Sequence, residues 1–237
     1  MTLPLYAAMT AGEFSSMPSI LQRPAWMACH FSSYGTGLTN LPRQMPQKAM
    51  LIINDRTPVG GHDAGLIKEQ LIQLINRFPI DRILLDLQRP DSPETADIAK
   101  TLVQGLPCPV GITEAYAENL DCPIFIEHPP HTPLHTAISR WKGRELWLEA
   151  ALDAEVITVT ATGSQFTPLP RAYWKEGCHQ EADLCCHYQI CVTSQQAKFT
   201  LFRTPEDLAS LLEKAESLGF TCAVGLYQQL QDISVLE

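Results

Sequence analysis

One short run of the sequence brings residue types that can do acid–base chemistry to the end of an apolar strand. The run DRILLDLQRP, residues 81–90, has an apolar centre followed by Asp86, one spacer and Gln88. Because alternate residues of a strand point to the same side, Leu84, Asp86 and Gln88 should share one face. A carboxyl group can exchange a proton near neutral pH, whereas an amide can only form hydrogen bonds. The run therefore indicates either a working site or one that has lost its second acid.

Further polar side chains follow other apolar runs and are candidates for the same site. Asp55 ends MLIIND, Glu114 follows CPVGIT, Glu127 follows PIFI, Glu149 ends ELWLE, and Tyr227 ends TCAVGLY. Glu114 is the best-placed replacement acid, although a phase change of one residue would turn it outward. Asp55 could instead cap the turn that follows it.

The histidine and cysteine clusters lack a recognised metal-ligand spacing. Prolines interrupt HPPHTPLH (residues 128–135), and the cysteines and histidines between residues 178 and 187 have no C-x-x-C separation. No G-x-G-x-x-G fingerprint of a dinucleotide site follows any strand. We therefore predict no metal site and no cofactor.

Composition limits the classes of partner. The 237 residues are 45% hydrophobic and 18% charged, and carry a formal net charge of -9 from 17 basic and 26 acidic side chains. Without a basic run, the chain is not expected to bind nucleic acid or an anionic membrane. The sequence MTLPLYAAMTAGEF lacks the features of a secretory signal, and the eight cysteines have the pattern of buried thiols, so we expect a cytoplasmic protein. The oligomeric state is left open.

The elements that must position these residues alternate along the chain. Eight apolar runs, near residues 3, 26, 50, 82, 109, 123, 145 and 221, are separated by amphipathic or capped segments, with Asp63, Ser92 and Thr204 as predicted N-caps. This alternation favours an α/β protein of the (β/α)8 TIM-barrel type, one domain over residues 1–237, with an open doubly wound sheet as the alternative. Residues 155–203 are β-rich and predict a small antiparallel insertion before the last strand-helix unit.

At this point DRILLDLQ resembles a signature of family 18 glycoside hydrolases, the chitinase-like barrels. That signature is Asp-x-x-Asp-x-Asp-x-Glu: Asp81 and Asp86 match its first and third acids, Leu84 stands at the second, and Gln88 replaces the catalytic glutamate. WMACHFSSYG, MLIINDRTPVGGH and the segment from FTLFRTPEDL to VGLYQQL resemble other parts of the family in order, and Tyr227 occupies the place of a frequent tryptophan.

The resemblance implies a substrate-assisted site in which the glutamate protonates the leaving oxygen and the neighbouring aspartate holds an acetamido group. Transferred to this sequence, Asp86 would hold that group, Gln88 would hydrogen-bond the glycosidic oxygen, and Tyr227 would form the floor of the pocket. Asp55 and Glu127 are candidates for substrate binding because they lie at strand ends. Glutamine has no acidic proton to transfer, so the first hypothesis is a degenerate member that binds an N-acetylated saccharide or cell-wall fragment with little or no hydrolysis. The alternatives are an active glycosidase using Glu114 or another strand-end acid, and a structural or partner-binding protein with a filled barrel mouth.

Overall fold

The computed structural model describes residues 3–16, 23–89, 92–170 and 177–231, and in them eight parallel strands close into a barrel. The strands in chain order are β1 (Leu5–Met9), β2 (Pro24–Phe31), β3 (Leu38–Thr39), β4 (Ala49–Asn54), β5 (Ile80–Asp86), β6 (Val110–Thr113), β7 (Ile124–Ile126), β8 (Leu146–Glu149), β9 (Ala154–Thr160), β10 (Gly163–Leu169), β11 (His179–Glu181), β12 (Cys186–Val192), β13 (Gln196–Phe202) and β14 (Cys222–Leu226). The barrel order is β1-β14-β8-β7-β6-β5-β4-β2, and a parallel pairing of β1 with β2 closes the ring. The predicted (β/α)8 class is confirmed, and ring closure excludes the open sheet.

Helices follow some barrel strands and are reduced to single turns after others. They are α1 (Ala11–Ser15), α2 (Ala64–Arg77), α3 (Pro93–Gly105), α4 (Leu134–Ala137), α5 (Pro205–Ser217) and α6 (Tyr227–Leu230), with 3₁₀ turns at Glu114–Tyr116 and Ser139–Trp141. The three long helices begin at the predicted caps: Asp63, Ser92 and Thr204 each accept a backbone N–H three residues onward. None of the described helices is long and apolar enough to cross a bilayer.

The barrel interior is packed with large side chains below its mouth. Tyr6, Met50, Leu84, Phe125 and Trp147 are among the buried residues of this inner cluster. The indole of Trp147 occupies the space beside β6, where a Cβ on Gly111 would lie 2.3 Å from its ring. Glycine at this position therefore makes room for the largest side chain of the interior.

The amino-terminal end of the barrel is closed by charged and aromatic groups. The Tyr6 hydroxyl donates a hydrogen bond to Asp81, and the guanidinium of Arg82 lies 5.5 Å from the Trp147 ring centroid. Glu145 accepts a hydrogen bond of 3.1 Å from the Trp147 indole. Asp81, the match to the first acid of the family signature, thus lies at the opposite end of the barrel from Gln88.

Strands β9 to β13 form a second, antiparallel sheet of order β10-β9-β13-β12-β11, inserted between β8 and α5. This is the position predicted for the β-rich insertion. Buried Arg203 fastens the end of this sheet to the barrel: it donates to the His128 carbonyl oxygen and to His128 Nδ1, both at 2.8 Å. His128 Nε2 lies 2.5 Å from the Thr132 carbonyl oxygen. Burial and the Arg203 charge lower the pKa of His128 to about 4, so the ring is neutral.

Candidate functional site

A cavity of about 230 Å³ opens where the carboxyl ends of the barrel strands meet. In this fold, that end of the barrel is where ligands bind. Its apolar surface includes Met27, Leu84 and Phe125. Its polar lining consists of carboxyl and amide side chains: Asn54, Asp86, Gln88, Glu149, Asp153 and Gln229. No lysine, arginine or histidine of the described chain contributes to the lining.

Gln88 bridges two carboxylates at the rim of this cavity. Its amide nitrogen donates a hydrogen bond of 2.8 Å to Asp86 Oδ1 and a second hydrogen bond to Glu127 Oε1. The amide carbonyl oxygen of Gln88 accepts no hydrogen bond from any other described residue. A neutral donor therefore stands between two acids, where an ionised glutamate would be repelled by both. Because the Gln88 amide is neutral, Asp86 and Glu127 can both accept a hydrogen bond from it without a third negative charge between them.

The turn that carries Gln88 is anchored by Asp55. Buried Asp55 accepts the backbone N–H of Gln88 at 3.1 Å and that of Arg89 at 2.7 Å, one on each carboxylate oxygen. The Thr113 hydroxyl donates to the Leu87 carbonyl oxygen at 2.8 Å. Because neighbouring strands hold this turn on both sides, the backbone that carries Gln88 is held in place before any ligand arrives.

The acids that line the cavity are less acidic than in water. Burial raises the pKa of Asp86, against the hydrogen bond from Gln88, and the neighbouring carboxylates Glu127 and Asp55 raise it further. Burial also raises the pKa of Asp153, which Arg203 partly opposes. The largest change is at Glu149: burial, followed by the charges of Asp153, Glu127 and Asp86, raises the pKa of this carboxyl to about 8. Glu149 is therefore mainly protonated at neutral pH.

Three of the predicted site residues, Asp86, Gln88 and Glu127, lie close together in the structure. Leu84, Asp86 and Gln88 share the interior face of the β5 segment, as the period of two predicted, and all three line the cavity. Glu127 follows β7 and reaches Gln88, although its side chain is exposed and lies at the rim. The spatial grouping of Asp86, Gln88 and Glu127 agrees with the sequence, while their roles remain proposals.

Glu114 lies outside the cavity. The strand β6 ends at Thr113, and Gly111 faces the interior, so Glu114 has the outward phase and begins a 3₁₀ turn. Its carboxylate accepts hydrogen bonds from Trp141 Nε1 at 2.6 Å and from Arg140 Nη2 at 2.8 Å, at a separate surface depression. The expectation that Glu114 faces the barrel mouth is therefore wrong by one residue of strand phase.

Asp55 and Tyr227 are also displaced from the lining. Asp55 holds the turn after β5, whereas the alternative interpretation had it capping the turn that follows Asp55 itself. Its predecessor Asn54 faces the cavity instead. Tyr227 is the first residue of α6 and packs against the core between the barrel and its helices. Its neighbour Leu226 lines the cavity in its place.

Other lining groups were not among the principal sequence candidates. Glu149 is in phase with Trp147 on β8, so the period of two along ELWLE contains the signal that places it inside. Asp153 belongs to the connection between β8 and the insertion, and Gln229 to α6, and nothing in their local sequence marks either one.

The histidine-rich run 128–135 serves protein contacts. His128 pairs with Arg203 as described, and His131 Nδ1 lies 2.6 Å from Glu155 Oε1 on β9. Across the described ranges, no group of three or more histidine, cysteine or acidic side chains has the arrangement of a metal site.

Comparison with known proteins finds similarity in the fold and none in the sequence. The sequence matches no protein-family model and no curated protein sequence. The fold is similar to that of the chitinase-like agglutinin RobpsCRA from Robinia pseudoacacia, with a TM-score of 0.58 and 12% identity over 98% of this chain and 96% of that chain. It is similar to a class V chitinase from Nicotiana tobaccum, solved as a glutamate-to-glutamine mutant in complex with NAG4, with a TM-score of 0.56 and 11% identity over 97% of this chain and 94% of that one.

A family 18 N-acetylglucosaminidase from Paenibacillus barengoltzii has a TM-score of 0.56 at 8% identity, over 99% of this chain and 96% of its own. At this level of identity the likeness establishes the fold. The chain thus has a barrel fold similar to that of family 18 chitinases and chitinase-like proteins. It also contains the antiparallel sheet inserted between β8 and α5.

Proposed function

We propose that the protein binds a saccharide in the mouth of the barrel, with little or no hydrolysis through the β5 position. The observation that carries the proposal is the open cavity above Leu84, in which Asp86 and Gln88 are held side by side. A barrel mouth filled by its own side chains, as in a purely structural protein, would leave no such space.

The lining suits a sugar ring. A pyranose presents an apolar face of C–H groups and a rim of hydroxyl or acetamido groups. The cavity offers the apolar surface of Met27 and Phe125 below, and carboxyl and amide groups around the rim. At about 230 Å³, it is smaller than the roughly 300–1,000 Å³ of drug-sized ligand sites, which suits one ring of a saccharide.

Charge narrows the ligand class further. Three carboxyl groups line the cavity, at Asp86, Glu149 and Asp153, with no basic group of the described residues in the lining. A phosphorylated or carboxylated sugar would meet like charge and would bind poorly. The proposal is therefore a neutral sugar, and the resemblance to chitinases favours an N-acetylated one, of which Asp86 would hold the acetamido N–H.

The structural neighbours support the proposal of saccharide binding. One of them, the tobacco chitinase, was obtained with a glutamate replaced by glutamine and with NAG4 bound. Here Gln88 stands in the place of the signature glutamate by resemblance, so the natural sequence carries the same type of exchange. The amide preserves the hydrogen-bonding shape of a glutamate side chain and lacks its acidic proton.

Calorimetric titration with NAG4 tests the proposal. The wild type should bind, and Asp86→Ala should weaken binding at least tenfold because it removes both the ligand contact and the partner of Gln88. Glu114→Gln is the matched control, since it changes a strand-end acid outside the cavity and should leave the dissociation constant unchanged. If the wild type gives no heat and no thermal stabilisation at millimolar NAG4, the proposal fails.

A further inference from the structure

We propose that Glu149 is a proton donor in this site, so that the cavity can cleave the saccharide it binds by using an acid on β8 in place of one on β5. The inference rests on the proposed saccharide binding. It assigns to the carboxyl on β8 the role that Gln88 cannot perform.

The first support is the position of Glu149. It is the last residue of β8 and follows Trp147 on the interior face, so its carboxyl group lines the same cavity as Asp86 and Gln88. Strands β6 and β7 separate β8 from β5 in the barrel order. A ligand in the cavity would therefore have Glu149 on one wall and Asp86 on another, as the two carboxyl groups of a glycosidase flank the scissile bond.

The second support is that this carboxyl group has no hydrogen-bond or ion-pair partner among the described residues. Glu149 forms no hydrogen bond or ion pair with the described residues, whereas Asp86 is held by Gln88 and Glu114 by Arg140. A largely buried carboxyl group without a partner costs stability, and such groups occur where function requires them. Glu149 is thus available to donate a hydrogen bond to a ligand oxygen.

The third support is its protonation. With its pKa raised to about 8 by burial and by the neighbouring carboxylates, Glu149 holds a proton under conditions in which an exposed glutamate has lost it. An acid catalyst works best when its pKa lies near the pH at which it operates.

The proposed hydrolysis consumes one water molecule and needs no other co-reactant. Glu149 transfers its proton to the glycosidic oxygen as the bond from that oxygen to the anomeric carbon breaks, and the leaving sugar departs as an alcohol. A water molecule forms the new bond to the anomeric carbon and loses one proton to the Asp86 carboxylate. Asp86 then returns a proton to Glu149 through solvent, which restores the starting state.

The experiment measures reducing ends released from NAG4 by the wild type, Glu149→Gln and the control Glu114→Gln, between pH 5 and pH 9. We expect turnover by the wild type and by the control, with an alkaline limb near pH 8. Glu149→Gln should lose about 10²–10⁴-fold in kcat while its dissociation constant for NAG4 stays within a few-fold. On a 4-nitrophenyl glycoside, whose leaving group needs little protonation, the loss should be much smaller, a difference that general damage to the site would not produce.

The results that would refute the role of Glu149 differ from those that would refute saccharide binding. Binding of NAG4 without turnover by the wild type, or equal turnover by Glu149→Gln, would overturn the role of Glu149 and leave saccharide binding intact. Failure of the wild type to bind NAG4 at all would overturn both proposals.

Discussion

Replacing Glu149 by glutamine should stabilise the protein, by an amount that depends on pH in a defined way. The pKa of Glu149 rises from its ordinary value of 4.5 to about 8 in the folded state. Below pH 4.5 the folded and unfolded chains both carry the proton, so this carboxyl group adds no pH-dependent term. Between pH 4.5 and pH 8 the unfolded chain has lost a proton that the folded chain keeps, and stability falls as pH rises. Above pH 8 the penalty is constant.

The magnitude follows from about 1.4 kcal/mol for each pKa unit. At pH 7 the penalty is about 3 kcal/mol, and above pH 8 it approaches about 5 kcal/mol. Glutamine has nearly the same shape and no charge, so Glu149→Gln should recover most of this free energy of unfolding. For a chain of this size, about 3 kcal/mol corresponds to an increase in Tm of roughly 6–12 °C.

Urea unfolding of both proteins at pH 4.5, 6, 7 and 8 is the assay. The difference in the free energy of unfolding should be near zero at the lowest pH and should increase with each step. Glu114→Gln, which alters a hydrogen-bonded surface carboxylate, should not produce this increase. A difference that is the same at pH 4.5 and pH 8, or a variant less stable than the wild type at pH 7, would refute the assignment of Glu149 as a buried protonated acid.

Two further predictions concern the packing beneath the cavity and the turn at its edge. Gly111→Ala should lower the free energy of unfolding by about 1–3 kcal/mol, because its methyl group would overlap the Trp147 ring. Urea unfolding measures this loss. The control is Gly12→Ala, which has no atom within 4 Å of its added carbon and should show no overlap cost. Asp55→Ala should cost about 2–3 kcal/mol by leaving the backbone N–H groups of Gln88 and its successor without their acceptor. A loss below about 0.5 kcal/mol in urea unfolding would mean that this carboxylate does not hold the turn, since such a value is typical of surface sites without a structural role.

The barrel could be predicted from the sequence because its evidence is distributed over the whole chain. Eight apolar runs, capped helices at Asp63, Ser92 and Thr204, and a β-rich stretch of different character all point to one architecture. The caps form because their side chains satisfy backbone N–H groups of the first turn, a local effect that depends little on the rest of the fold.

Strand phase was predictable only where the segment itself contains polar residues. In the β5 segment, Asp86 and Gln88 alternate with Leu87, and their face was assigned correctly. In β6 all four residues, Val110–Thr113, are buried, because a parallel strand in a barrel is covered on both sides. Hydrophobicity therefore gives no strand phase there, and the glycine that faces Trp147 provides no signal. For this reason the sequence pattern predicts the wrong side for Glu114.

The electrostatics of the cavity depend on contacts that no local pattern contains. Asp153 is brought beside Glu149 by the connection from β8 to the insertion sheet, and the Arg203 guanidinium is positioned by that same sheet. The bridge from Gln88 to Glu127 joins two non-adjacent barrel strands. These contacts determine which acid keeps its proton, and they form only when the ring is closed.

The most direct test of saccharide binding at the barrel mouth is a crystal structure of the protein soaked with NAG4. The account predicts density for a sugar ring in the cavity above Leu84, with its polar rim within hydrogen-bond distance of the Asp86 carboxylate and the Gln88 amide. Sugar density confined to another surface, or an unoccupied cavity in crystals whose mouth is open to solvent at saturating NAG4, would contradict it.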